Sequence, residues 1–163
     1  MTDIDAEKAV LREFLAYQRA SVEAILAGLG EEALHTPVLP SGWTPLGMVE
    51  HLGHAERHWF QQVLTGVVEP LPWPDDCAPL TTVRPSETVL GFYRDECARS
   101  DKIIAETALD AVPVWAHPQE PLASQTTDLR RIILHMIEET ARHAGHLDAA
   151  RELIDGRTGL GPR

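Results

Sequence analysis

The sequence is poor in cysteine, in basic side chains and in long apolar runs, and each shortage disfavours a class of protein. Its two cysteines, Cys77 and Cys97, form no CxxC motif, so we predict reduced thiols in a cytoplasmic protein rather than a disulfide framework. The 14 basic against 25 acidic side chains leave a net charge of −11, which disfavours binding to nucleic acid. No stretch approaches the roughly 18–20 uninterrupted apolar residues of a membrane helix, and the acidic N-terminus shows no secretory signal.

The 163 residues suffice for one domain with its own core and are too few for two ordinary domains. We assign this domain to residues 1–156 and expect residues 157–163 to form a flexible tail. Sustained period-two alternation is missing, so no strand is predicted, whereas apolar residues recur at helical spacing in four segments. The predicted fold is all-α: a four-helix bundle with long crossover loops.

Each of the four predicted helices is bounded by residues that favour a helix end, such as a capping hydroxyl or carboxylate, a first-turn proline or a glycine. The expected limits are 5–27, 44–66, 86–109 and 126–156, the last helix beginning at Thr126 or Thr127. Prolines exclude a regular helix over residues 67–85 and again before the last helix. A segment as long as 67–85 is expected to form a functional flap or a structured lid.

Six of the eight histidines fall on the second and fourth predicted helices, where we expect any chemistry to lie. On the fourth helix, Glu139 and His143 are one turn apart. At about 100° per residue, His143 lies about 40° and Glu139 about 80° from the centre of the apolar stripe. A carboxylate and an imidazole that face a core need a partner, which a divalent metal would supply. The alternative interpretation is a hydrogen-bonded ion pair on the helix surface.

The same arithmetic leaves the choice of residue open on the second helix. His51, His54 and His58 all lie about 110° or more from the middle of its apolar stripe, so periodicity does not choose among them. We interpret His58 and His135 as solvated or rim residues. His117 falls in a proline-rich loop and has no partner visible in the sequence.

Two segments resemble the DinB-like metalloprotein superfamily. They are GWTPLGMVEHLGHAERHWF over residues 42–60 and HMIEETARHAGHLDAARELIDG over residues 135–156. The similarity covers nearly the whole chain, with helices in the same order. That superfamily is similar in architecture to bacillithiol- and mycothiol-dependent S-transferases and to the mycothiol-dependent maleylpyruvate isomerase. The resemblance implies a DinB/YfiT-like bundle and, because family members are often dimers, a possible homodimer.

Carried over to this chain, the resemblance implies three metal ligands: His51 of the His-Leu pair, Glu139 and His143. Many members have histidine at the position of Glu139, and the His/Glu/His set resembles the mycothiol isomerase branch. Two imidazoles and one carboxylate suit a borderline metal and leave a fourth position open for water or a thiolate. Zn²⁺ is the first choice, with nickel, manganese and iron as alternatives.

The resemblance also implies a low-molecular-weight thiol as the nucleophile, with a small-molecule electrophile as its partner. We therefore expect a metal-dependent thiol S-transferase or isomerase that uses mycothiol or a similar thiol. The alternative is a non-catalytic, stress-related metal-binding bundle. Around the ligands, His146 and His54 are candidate catalytic residues, and Arg142 is a candidate cofactor-binding residue that could meet a carboxylate. Neither nucleic acid nor membrane is an expected partner.

Overall fold

A computed structural model describes residues 3–67, 69–73 and 79–159. These residues form helices and loops with no strand among them, which confirms the all-α prediction. The elements are α1 (Asp3–Leu26), α2 (Glu31–His35), α3 (Pro45–Glu56), a π-helix (Arg57–Leu64), α4 (Ser86–Glu106), α5 (Leu122–Gln125) and α6 (Leu129–Asp155). No described helix is long and apolar enough to cross a membrane. Cys77 and residues 160–163 of the predicted tail lie outside the described residues.

The first and last long helices run side by side in the same direction. Near the start of α6, Arg130 donates a hydrogen bond to Glu7 near the start of α1. Near the end of α6, Arg151 donates to the carbonyl oxygen of Ile25 near the end of α1. This pair of parallel helices forms one half of the bundle.

The second half of the bundle is formed by α3, the π-helix that continues it, and α4. Gly53 of α3 lies against Phe92 of α4, and Gln61 of the π-helix bonds Glu96 farther along α4, so these helices are also parallel. Consecutive parallel helices need a connection that returns along the bundle. This geometry requires a long connection between α3 and α4, which agrees with the non-helical segment that the prolines predict over residues 67–85.

The observed helix limits differ from the predicted ones where a capping side chain sets the first residue of the helix. The last helix begins at Leu129 rather than at Thr126 or Thr127, because the Asp128 carboxylate accepts a hydrogen bond from the Arg131 amide. Two short helices, α2 and α5, lie in segments that we predicted as connections. Helices of five and four residues are too short to show a periodic apolar pattern.

The second predicted helix changes type halfway along. It begins as expected, with the Thr44 hydroxyl accepting from the Gly47 amide and Pro45 in the first turn. From Arg57 onward it is a π-helix instead of the predicted regular helix. Because a π-helix turns by roughly 80° per residue instead of about 100°, His58 lies at a different angle than a regular helix would give it.

The core consists of two apolar clusters, and α6 contributes to both. Ala144 and Leu147 belong to the cluster that includes Leu52 of α3, whereas Met136 belongs to the cluster that includes Trp59 of the π-helix. Glu139 and His143 lie between these positions along α6. These two residues therefore lie where one core cluster gives way to the other along α6.

Apolar residues recur at helical spacing along the first helix, among them Val10, Phe14, Leu15, Val22 and Ile25, but the face that they define is wider than the face that is buried. Leu15, Val22 and Ile25 are buried, but Val10 and Phe14 are 51% and 54% exposed. The bundle covers only part of the circumference of this outer helix. Apolar spacing on α1 therefore overestimates its core face.

Gly47 provides the first test of the fold, because the chain that returns from α3 to α4 crosses directly over it. A Cβ atom at Gly47 would meet the Leu80 carbonyl oxygen and would lie 2.6 Å from the Thr81 Cα. We expect Gly47→Ala to lower the free energy of unfolding by about 2 kcal/mol or more, since the obstructing atoms are backbone. Urea denaturation measures this. Gly91→Ala on α4 is the control, with nothing within 4 Å of its Cβ position. Equal losses in both variants would contradict the close approach.

Candidate metal centre

His51 of α3 meets the Glu139–His143 pair of α6. Nε2 of His143 lies 2.9 Å and Nε2 of His51 lies 3.4 Å from the same oxygen, Oε1 of Glu139. The two imidazole rings are perpendicular, with centroids 5.2 Å apart. One potential ligand atom from each residue lies within 4.8 Å of the others. We call these three residues the triad.

The helices explain why these three side chains converge. Glu139 and His143 are one turn apart on α6 and therefore share a face. His51 precedes Leu52, which packs in the same core cluster as Ala144. This packing holds His51 beside the turn of α6 that carries the pair, so a residue from a second helix joins the hydrogen-bonded Glu139–His143 pair.

The triad is an electrostatically coupled unit even without a metal. Hydrogen bonds from His143 and His51 hold the pKa of Glu139 well below its usual range, against the opposing effect of burial. The three side chains are between 13% and 28% exposed, so a small ion or ligand can reach them from solvent. A metal cation would bind to the same two Nε2 atoms after they lose the protons that they donate to Glu139.

The donor set fits a divalent metal of the zinc class. Metal–ligand bonds of about 2.0–2.1 Å at tetrahedral angles place neighbouring ligand atoms about 3.3 Å apart. The observed separations of 2.9 and 3.4 Å bracket that value. Within the described part of the chain, no fourth histidine, cysteine or acidic residue joins the group. A bound tetrahedral ion would therefore keep one position for an exogenous ligand.

His146 and His54 have different surroundings. His146 is exposed, and its ring centroid is 5.6 Å from that of His143 and 6.3 Å from that of Trp43. His54 is buried at 4% exposure, with its ring 4.9 Å from Phe92. Their catalytic roles stay predictions, as does the assignment of the triad as ligands.

A cavity of about 380 Å³ adjoins the triad and includes His51 and Glu139 in its wall. We call it the histidine pocket after its other polar and aromatic lining residues, which are His54, His58, Trp59, His117, His135 and Arg142. Burial, above all, lowers the pKa of His135. The interpretation of His58 and His135 as solvated or rim residues was incomplete, because both line this shared cavity. His117 reaches it from the α4–α5 loop, and no periodic pattern signals that placement.

Comparison with known families adds an independent observation. The family model of the mycothiol-S-transferases matches residues 10–156, a range that contains the whole triad. The chain belongs to the mycothiol-S-transferase family. No curated protein and no solved structure matches the chain.

Membership in the mycothiol-S-transferase family confirms the DinB-like resemblance drawn from residues 42–60 and 135–156. The family also implies a small-molecule thiol as substrate, which is the kind of molecule that could approach the open side of the triad. The matched range begins within α1 and ends at Gly156, whose left-handed φ of 76° closes α6. The family pattern thus covers the bundle from its first to its last helix.

Proposed function

We propose that this protein is a metal-dependent thiol S-transferase that joins mycothiol, or a similar low-molecular-weight thiol, to a small electrophile. One observation carries the proposal. Three potential ligand atoms from two helices lie close together beside an open cavity, in a chain of the mycothiol-S-transferase family. A Zn²⁺ ion, or another divalent metal held by the triad, would lower the pKa of a bound thiol and favour its thiolate.

The protein's own described cysteine is unsuited to be the nucleophile. Burial, with the nearby Glu56 carboxylate, raises the pKa of the Cys97 thiol far above neutral pH. Cys97 also belongs to the residues packed against the first core cluster. Among the described residues no cysteine suits this role, and the family implies an external small-molecule thiol as the reactant.

The residues of the triad would divide the work of holding the metal. His51 and His143 supply neutral nitrogen ligands, and Glu139 supplies the negative charge that offsets part of the metal's positive charge. His54, which lines the cavity, and His146, on the Trp43 side, are the candidates for moving protons. The cytoplasmic location and the homodimer stay predictions from the sequence and the resemblance.

A turnover assay tests the proposed function. Full-length protein with one equivalent of Zn²⁺ is incubated with mycothiol and a chlorinated bimane, and the fluorescent thioether is followed against the spontaneous rate. We expect adduct formation above that rate, lost after chelation and restored by Zn²⁺. If the metal binds but no thiol among mycothiol, bacillithiol and cysteine is turned over, the non-catalytic metal-binding bundle is the better description.

A further inference from the structure

The histidine pocket has a charge character unlike that of the protein around it. The chain carries a net charge of −11, yet among the described residues that line this pocket Glu139 is the only one with a carboxylate. That carboxylate already accepts hydrogen bonds from His143 and His51. A ligand in the pocket would therefore face no uncommitted negative side chain from the described residues.

Arg142 supplies a positive charge to the same pocket. Most of the described arginines hold a carboxylate, as Arg19, Arg57 and Arg130 do. Arg142 makes no ion pair or side-chain hydrogen bond within the described ranges, although it is part of the pocket wall. An arginine presents a planar fork of donors that matches a carboxylate, so its free guanidinium suits an anionic ligand.

Besides the aliphatic Ala55 and Leu122, the remaining lining residues carry flat π systems. His117 is stacked on Trp59, with ring centroids 5.3 Å apart and planes 19° apart. His135 meets Trp59 edge to face at 4.6 Å, and His58 stands perpendicular to His117 at 5.5 Å. Aromatic and imidazole rings arranged in this way favour a planar, conjugated ligand that can stack against them or lie at their edges. The proposed function uses none of His58, His117 and His135.

We propose that the histidine pocket binds the electrophile and selects planar, conjugated carboxylic acids, with the carboxylate held by Arg142 and the unsaturated skeleton against the half-buried rings of His117 and His58. The description of this ligand as the electrophile rests on the proposed function. Binding of such an acid does not, because neither the arginine nor the rings need a thiol to act. The two proposals therefore fail separately.

Cinnamate and cinnamamide provide the probe, since they share one planar skeleton and differ in charge. Isothermal titration calorimetry with full-length, Zn²⁺-loaded protein should give a dissociation constant at least about threefold lower for cinnamate, a ratio consistent with an exposed charge pair. Arg142→Gln should abolish this preference. Arg131→Gln, at an exposed arginine on the same helix outside the pocket, should retain it. His117→Ala should weaken both ligands by a similar factor, since it removes a wall and no charge.

A carboxylate could instead bind the metal itself, and the same titrations after chelation separate the two cases. Our proposal expects the preference for cinnamate to survive removal of Zn²⁺. A preference that disappears with the metal and persists in Arg142→Gln would overturn it, as would failure of the native protein to bind either ligand. Selective cinnamate binding without turnover of any thiol would support the pocket's selectivity for planar acids and would remove both the proposed function and the description of the ligand as its electrophile.

Discussion

If the triad is the metal site, Glu139→Gln should bind Zn²⁺ much more weakly than the native protein while the bundle stays folded. Glu139 is the residue that both histidines of the triad approach, at 2.9 and 3.4 Å, and its carboxylate supplies the only negative charge in the ligand set. Glutamine keeps the shape and removes the charge. Residues that merely support metal ligands are worth about 10–100-fold in affinity, so loss of a ligand should weaken Zn²⁺ binding by more than about 100-fold. Competition with a chromophoric chelator measures the affinity, and far-UV circular dichroism monitors the fold.

The neighbouring residue provides a matched control for this variant. Glu138→Gln removes the same charge from the same turn of α6, but Glu138 is exposed and lies outside the triad. It should keep native affinity for Zn²⁺. If Glu139→Gln binds Zn²⁺ as tightly as Glu138→Gln does, the triad is not the metal site.

Arg19→Met should cause the largest loss of stability among the substitutions considered. Arg19 of α1 forms a two-pronged ion pair with Glu56 at 2.8 and 2.7 Å, and the two side chains are only 8% and 1% exposed. The substitution leaves the Glu56 carboxylate buried without its guanidinium. Breaking one side of a buried pair costs about 3–5 kcal/mol, and we expect a loss of that size in urea denaturation.

An exposed ion pair and a double variant give the comparison. Arg94 pairs with Glu23 at 2.9 Å on the surface, where both side chains are more than one third exposed, so Arg94→Met should cost less than about 1 kcal/mol. Arg19→Met combined with Glu56→Leu should recover most of the loss, because an apolar pair of similar volume needs no charge partner. Similar losses for Arg19→Met and Arg94→Met would show that burial does not determine the strength of the pair.

The histidines show which site residues the sequence pattern could predict and which it could not. The one-turn spacing of Glu139 and His143 was visible without a structure, since residues four apart on a helix share a face. Periodicity placed His51, His54 and His58 on one shoulder and did not choose among them. The family resemblance chose His51, and the structure brings His51 to within 3.4 Å of Glu139. His54 illustrates the limit, because a position on a helical shoulder is buried once α4 brings Phe92 against it.

The sequence by itself determined the class of fold, the segments that form long helices and which residues share one face of a helix. These properties depend on local spacing, capping and proline, which act within a few residues of the chain. Local periodicity did not place His51 against α6, which the family resemblance implied, and only the tertiary structure decided that His117 of a loop joins His58 of a π-helix in one pocket. The reason is physical: contacts between distant segments depend on how whole helices pack and how their connections return, and no local pattern records that arrangement.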